Sequence, residues 1–178
     1  MHKTIAVLAG DGIGPEIITE AIKVLQAVAK KYHHSFTYEH ALMGAVAIDE
    51  TGNPLPDKTL EICKSSDAIL FGAIGDPKYD NDPNAKVRPE QGLLALRKAF
   101  NLFCNVRPVT IYDSLIDSSP LKRNRIEGVD LVIYRELTGG IYFGEKKEMN
   151  DKGVASDLCT YSKEEILRVA HLAFKAAG

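Results

Sequence analysis

Three arginines and one tyrosine carry the chemistry that this sequence could perform. Arg135 ends an apolar run, Leu131-Val132-Ile133-Tyr134, and Tyr142 follows past Thr138-Gly139-Gly140, inside a second β-rich run, Ile141-Tyr142-Phe143. Arg107 stands beyond "LFCNV", and Arg97 lies in "PEQGLLALRKAF". A guanidinium is charged at every physiological pH and grips a carboxylate through two parallel hydrogen bonds. Three of them converging would suit a small substrate with more than one carboxylate. Read as a helix, the segment beginning near Pro89 puts Glu90, Leu93, Leu94 and Arg97 on one face, at i, i+3, i+4 and i+7. That face offers a carboxylate, two branched apolar side chains and a guanidinium. Gly92 inside the same helix costs about 1 kcal/mol relative to alanine, which fits a backbone that another group approaches closely. Spacing alone leaves a plainer reading open: leucines in the core, arginines on the surface, and Tyr142 packed beside Phe143 in a strand.

The elements that must position these residues follow from local signals. "TIAVLA", residues 4–9, is a continuous apolar run, expected of a strand buried on both faces of a parallel sheet. "GDGIGP" turns the chain, and Pro15 suits the first position of a helix whose apolar stripe is Ile18, Ala21, Ile22, Leu25, Val28 and Ala29. "SFTYEHA" predicts a second strand, Pro56 opens a shorter helix, and "DAILFGAI" predicts another buried strand. "GVDLVIY" leads into Arg135 as a further strand, and Ser162 with Glu165 forms an S-x-x-E capping box ahead of Ile166, Val169, Ala170 and Ala173. Strands alternating with helices predict an α/β sheet with right-handed crossovers, and ligands favour the strand ends of such sheets. The sequence closes on a helix and "KAAG" with no strand to follow, so it reads as unfinished.

Composition narrows the partners. The 178 residues allow one domain or parts of two, and a net charge of −2 gives no reason to expect nucleic acid. The run Lys122-Arg123-Asn124-Arg125 reads as a solvated loop. No apolar run is long enough to cross a bilayer, and "MHKTIAVLAGDG" reads as strand and turn, not signal peptide. Cys63, Cys104 and Cys159 are far apart and odd in number, which predicts free thiols and a reducing, cytoplasmic setting. His33-His34 reads as a polar helix end, since a metal would need further ligands. "GDGIGPE" invites the dinucleotide fingerprint, but the spacing fails: the third glycine position holds Pro15 or Ile17, depending on the start. Glu39 could mimic the ribose-binding acid, yet the glycines are better read as a tight turn needing positive φ.

In order along the chain, "GDGIGPE", "GDPKYD", "RPEQGLLALRK", "NVRP" and "RELTGGIYFGE" resemble the isocitrate/isopropylmalate family of β-decarboxylating dehydrogenases, its isopropylmalate branch above all. The resemblance covers essentially all 178 residues. It implies the family's αβα sandwich, incomplete at the C-terminus, with 1–102 belonging to the first, cofactor-side domain and 103–178 beginning the second, dimerisation and substrate domain. The implied activity is NAD-dependent oxidative decarboxylation of 3-isopropylmalate to 2-oxoisocaproate in leucine biosynthesis, with Mg2+ or Mn2+, in a cytoplasmic homodimer. By resemblance, Arg97, Arg107 and Arg135 would hold the malate carboxylates, and Tyr142 would protonate the enol left by decarboxylation. A phenol is a weak acid at neutral pH, so a nearby cation, commonly a lysine in this family, must assist it. Gly139 and Gly140 would turn a hairpin that brings Tyr142 back over Arg135.

Glu90, Leu93 and Leu94 match the family face that meets the isopropyl group, where the charged γ-carboxylate of isocitrate would be desolvated without a partner. Ile13, Gly75, Asp76 and Glu90 resemble cofactor-facing positions. The chain departs from the family in reading Gly75-Asp76-Pro77-Lys78-Tyr79 where Gly-Gly-Pro-Lys-Trp is common, and in the length of the loop to Arg88. Asp151 and Asp157 do not match the family's metal-binding aspartates, so no metal ligand is assigned. Those aspartates, the partner subunit's catalytic lysine and much of the adenosine pocket are expected beyond residue 178, and the chain by itself is expected to be inactive. Two alternatives remain: a non-catalytic fragment binding a dicarboxylate or a partner chain, and a sibling enzyme acting on tartrate, isocitrate or homoisocitrate.

Overall fold

The computed structural model describes residues 1–82 and 85–178. They divide into two compact units, Met1–Leu96 and Arg97–Gly178. In the first, β1 (His2–Gly10) is followed by α1 (Gly14–Tyr32) and β2 (Ser35–His40). Next come α2 (Ala45–Thr51), α3 (Asp57–Ser65), β3 (Ala68–Ala73), the single turn α4 (Pro77–Asp80) and α5 (Pro89–Ala99), whose residues from Arg97 onward fall in the second unit. The strands form one parallel sheet in the order β2-β1-β3, with Ile5 opposite Tyr38 and Val7 opposite Leu70. A strand on each side of β1 explains its unbroken apolar run: Ala6, Val7 and Leu8 are 1% exposed or less. Ile18, Ile22 and Leu25 of α1 pack on Ile5 and Val7, whereas Val28, expected on the same stripe, is 38% exposed. His33 closes α1 in the left-handed conformation and donates its N–H to the Ala29 carbonyl, so the histidine pair is a helix end.

The second unit departs from the expected parallel alternation. β4 (Cys104–Thr110) leads through a 3-10 turn at Asp113–Ser118 and the single turn α6 (Arg123–Ile126) to β5 (Asp130–Glu136). The two strands pair antiparallel, Asn105 opposite Arg135 and Arg107 opposite Ile133. Parallel returns are normally carried by a full crossover helix, and this connection holds only single turns. The run 122–125 falls largely in α6, not in a loop, and Arg123 makes exposed ion pairs to Asp117 and Glu127. Beyond β5 lie the two-residue strands β6 (Lys146–Lys147) and β7 (Ser156–Asp157), then α7 (Lys163–Ala177). The capping box is present: Glu165 N–H donates to Ser162 Oγ at 3.2 Å, and Ser162 N–H donates to Glu165 Oε2 at 2.7 Å. The expected strand at Ile141-Tyr142-Phe143 does not form. Gly140–Tyr142 is a 3-10 turn, because Gly140 takes φ +74° under the Tyr161 ring, where an extended side-chain-bearing residue could not sit. Among the described residues no helix is long and apolar enough to cross a membrane, and all three cysteines are free.

Candidate functional site

The second unit brings Arg97, Arg107, Arg135 and Tyr142 together. In the β4–β5 ladder, Asn105 and Arg107 alternate onto the same face as Ile133 and Arg135, which makes the two arginines diagonal neighbours. Arg135 is the penultimate residue of β5, as expected, whereas Arg107 lies in the middle of β4 and not at its end. Arg135 Nη2 donates to Tyr142 Oη at 3.5 Å, the long end of hydrogen-bonding range, and its guanidinium carbon lies 5.9 Å from the ring centroid. The tyrosine therefore stands over Arg135, although a 3-10 turn and not a hairpin puts it there. Burial pushes the Arg97 guanidinium below its ordinary value; Arg135 pushes the same way, Tyr142 opposes it, and Arg107 adds to the lowering. Like charges in mutual range destabilise one another unless an anion joins them. Among the described residues none of these three arginines makes an ion pair; Arg107 instead donates from Nε to Asn105 Oδ1 at 2.9 Å. The arrangement is a cationic patch with vacant donors beside a phenol.

Helix α5 is anchored by a different stripe from the one carrying Glu90, Leu93 and Leu94. Pro89, Gly92 and Leu96 are its buried residues, at i, i+3 and i+7, while Leu93 and Leu94 are half-buried and Glu90 is exposed. The two leucines are thus not the core contacts of α5. Gly92 does admit a close approach, but from the chain itself: a Cβ there would lie 2.6 Å from the Pro54 carbonyl oxygen.

The candidate cofactor residues sit at the carboxyl edge of the parallel sheet. Gly10 (φ +72°) and Gly12 (φ +53°) turn the chain after β1, leaving Ile13 56% exposed at the start of α1. Beneath them is a residue that sequence reasoning passed over. Asp11 is 6% exposed, and its carboxylate accepts from Ala45 N at 2.8 Å, Val46 N at 3.0 Å and Gly75 N at 3.0 Å. One buried carboxylate thereby ties the β1–α1 turn, the start of α2 and the loop after β3. Gly75 has φ +128°, and a Cβ on it would meet Glu90 Oε1 at 3.3 Å, so the Glu90 carboxylate rests against bare backbone. Asp76 is committed as the cap of α4, accepting from Lys78 N at 3.0 Å. The next residues are braced from α2: Lys78 Nζ pairs with Asp49 at 2.5 Å and Tyr79 Oη donates to Asp49 at 2.8 Å. Residues 83 and 84 of this loop lie outside the described residues. Ile13 and Glu90 are thus exposed near the strand ends, whereas the Gly75 N–H and the Asp76 carboxylate are already engaged within the chain. Glu39 on the outer strand β2 is exposed and joins none of these contacts. No group of three or more His, Cys, Asp or Glu among the described residues could hold a metal ion.

Sequence reasoning also passed over a charged pair at the start of the segment that leads to Tyr142. Glu136, the last residue of β5, accepts from Thr138 N at 2.9 Å, Thr138 Oγ1 at 2.8 Å and Gly139 N at 2.7 Å. Arg168 of α7 pairs with Glu136 at 3.2 Å and also donates to Thr138 Oγ1. Burial pushes the Glu136 carboxyl up, but the Gly139, Thr138 and Arg168 donors outweigh it and hold it below the ordinary glutamate value.

With this geometry in view, comparison with known proteins is specific. A family described as isocitrate/isopropylmalate dehydrogenase matches residues 4–178. The 3-isopropylmalate dehydrogenase of Bacteroides fragilis (strain YCH46) is 54% identical over 177 residues, covering 99% of this chain and 50% of that protein. That of Halalkalibacterium halodurans is 54% identical over 180 residues, covering 99% and 49%. The crystal structure of isocitrate dehydrogenase from Methylococcus capsulatus matches with a TM-score of 0.77 at 27% identity, over 99% of this chain and 48% of that one. A β-decarboxylating dehydrogenase from Thermococcus kodakarensis matches with a TM-score of 0.65 at 31% identity, over 96% and 44%. The chain spans about half the length of the curated relatives it matches. Motifs, parallel sheet and family match agree: the chain belongs to the isocitrate/isopropylmalate dehydrogenase family and has its fold.

Proposed function

We propose that the full-length protein oxidises and decarboxylates 3-isopropylmalate with NAD, in the leucine pathway. The single observation that supports this most is the pair Arg107 and Arg135, diagonal neighbours on the β4–β5 ladder with Arg135 donating to Tyr142, neither making an ion pair among the described residues. In this reading Arg97, Arg107 and Arg135 hold the two carboxylates of the substrate and fix the hydroxyl-bearing carbon. NAD, when bound, would supply the hydride acceptor for that carbon, and the hydroxyl proton would leave to a base outside the residues described. The carboxylate β to the resulting ketone leaves as CO2, its bonding electrons pass into an enolate, and Tyr142 Oη donates a proton to the carbon from which the CO2 departed. Fixing Arg135 on a paired strand suits a clamp that must be in place before the substrate arrives. Leu93 and Leu94, half-buried and off the anchoring stripe of α5, are available to an isopropyl group at about 0.8 kcal/mol for each CH2-sized group buried. Ile13, Gly75, Asp76 and Glu90 face the cofactor, with 1–102 on the cofactor side and 103–178 opening the dimerisation domain. The protein works as a cytoplasmic homodimer, and Mg2+ or Mn2+ is held by residues other than those described.

The test is a spectrophotometric assay of the full-length protein with NAD, Mn2+ and 3-isopropylmalate. The expected result is NADH formation with this substrate in preference to isocitrate, homoisocitrate or tartrate. Preference for one of those would move the protein to a sibling activity, and no turnover with any would leave a dicarboxylate-binding protein.

A further inference from the structure

We propose that Arg168, acting through Glu136, is a positioning residue that sets where Tyr142 stands over Arg135. This rests on the role of Tyr142 proposed above. The two members of the site are held by different means. Arg135 is fixed by the β4–β5 ladder, opposite Asn105. Tyr142 belongs to the turn that follows, and the start of that turn hangs on one carboxylate: both Thr138 and Gly139 donate backbone N–H groups to Glu136. Gly140 N–H adds a bond to the Thr160 carbonyl at 2.8 Å. Arg168 grips this carboxylate from α7, donates also to Asn101 Oδ1 at 3.1 Å, and lies 4.8 Å over the Phe103 ring. The Glu136 and Arg168 side chains are only 12% and 28% exposed, and Arg168 Nε is buried without a partner. A part-buried ion pair with an orphaned donor is a poor means of holding a helix on a strand, since an apolar residue over Phe103 would do as well or better. What the guanidinium fork adds is direction: it fixes the Glu136 carboxylate and the Thr138 hydroxyl together, at the root of the turn that carries the phenol.

The prediction is a split between chemistry and binding. In full-length R168M, kcat for 3-isopropylmalate falls about a hundredfold, the loss expected from a displacement of about 1 Å. The substrate Kd stays within about twofold, because Arg135 keeps its ladder. R168K, which keeps the charge but not the fork, recovers part of kcat. Independently of turnover, 3-fluorotyrosine incorporated at position 142 reports the ring's surroundings, and its 19F resonance shifts or broadens in R168M. An unchanged resonance, an unchanged kcat, or equal losses of kcat and affinity would overturn the proposal. If R168M does not fold, the same readings on R168K decide it. If the wild-type protein fails to turn over 3-isopropylmalate while the resonance still moves, the functional reading falls and the positioning role stands.

Discussion

Replacing Gly92 with alanine sets two opposing effects against each other, and the structure decides between them. Alanine is favoured over glycine inside a helix by about 1 kcal/mol. Against this, the new Cβ would stand 2.6 Å from the Pro54 carbonyl oxygen, 3.0 Å from its carbon and 3.1 Å from the proline Cβ. The shortest of these is about 1 Å inside a relaxed non-bonded contact. Pro54 cannot retreat freely, because its carbonyl accepts from Gly44 N at 2.9 Å, and the next two backbone N–H groups are held by Asp11. Either α5 moves outward or the Asp11 junction loosens. Overpacking costs about 1–3 kcal/mol, and contact with backbone at several atoms belongs in the upper part of that range. G92A is therefore expected to lose about 1–2 kcal/mol net. Equilibrium urea unfolding, compared at constant slope, measures it. A95G on the exposed side of the same helix supplies the propensity scale, with an expected loss of about 1 kcal/mol. A normal loss in A95G together with an unchanged or raised midpoint in G92A would refute the reasoning.

Three further outcomes follow from the same contacts. D11A leaves three backbone donors without their acceptor, each worth about 1–3 kcal/mol, so denaturant unfolding should show a loss of at least about 3 kcal/mol, and D11N a smaller one. S162A removes the capping box of α7 and should cost about 1 kcal/mol by thermal or urea unfolding. The Glu136 carboxyl is held below its ordinary value when folded, so its contribution to stability is complete above the unfolded value, near 4.3, and fades as pH falls through the lower folded value. A pH series of unfolding midpoints should therefore fall more steeply below about pH 4.3 for wild type than for E136Q.

Features encoded by neighbouring residues were legible in the sequence. The apolar run of β1, Pro15 opening α1 and the Ser162–Glu165 box are local signals, and each appears where it was expected. The arginines and Tyr142 could be picked out as candidates, since a cation ending an apolar strand is conspicuous. What makes Arg107 and Arg135 neighbours is the β4–β5 register, and nothing in "LFCNVRP" says antiparallel. Asp11 read as a turn residue between glycines because its partners lie 34 to 64 positions away. Likewise Glu136 and Arg168 are 32 positions apart and look like ordinary surface charges. The cost of Gly92 was visible, but its cause, the Pro54 carbonyl, was not. Helix α2 escaped notice because seven residues are too few for periodicity and its Gly44 cap has no side chain to announce it. Ile141-Tyr142-Phe143 has strand composition, yet the neighbouring Gly140 at φ +74° and the Glu136 junction dictate a 3-10 turn. Tertiary contacts there override local preference.

The most direct test of the arginine cluster is calorimetric titration of the full-length wild-type protein and R135A with 3-isopropylmalate. One charged, bidentate grip is worth about 1.5–3 kcal/mol, so R135A should bind about tenfold to a hundredfold more weakly while its unfolding midpoint stays put. Unchanged affinity in R135A, or unfolding of the variant with full affinity in whatever remains folded, would contradict the account.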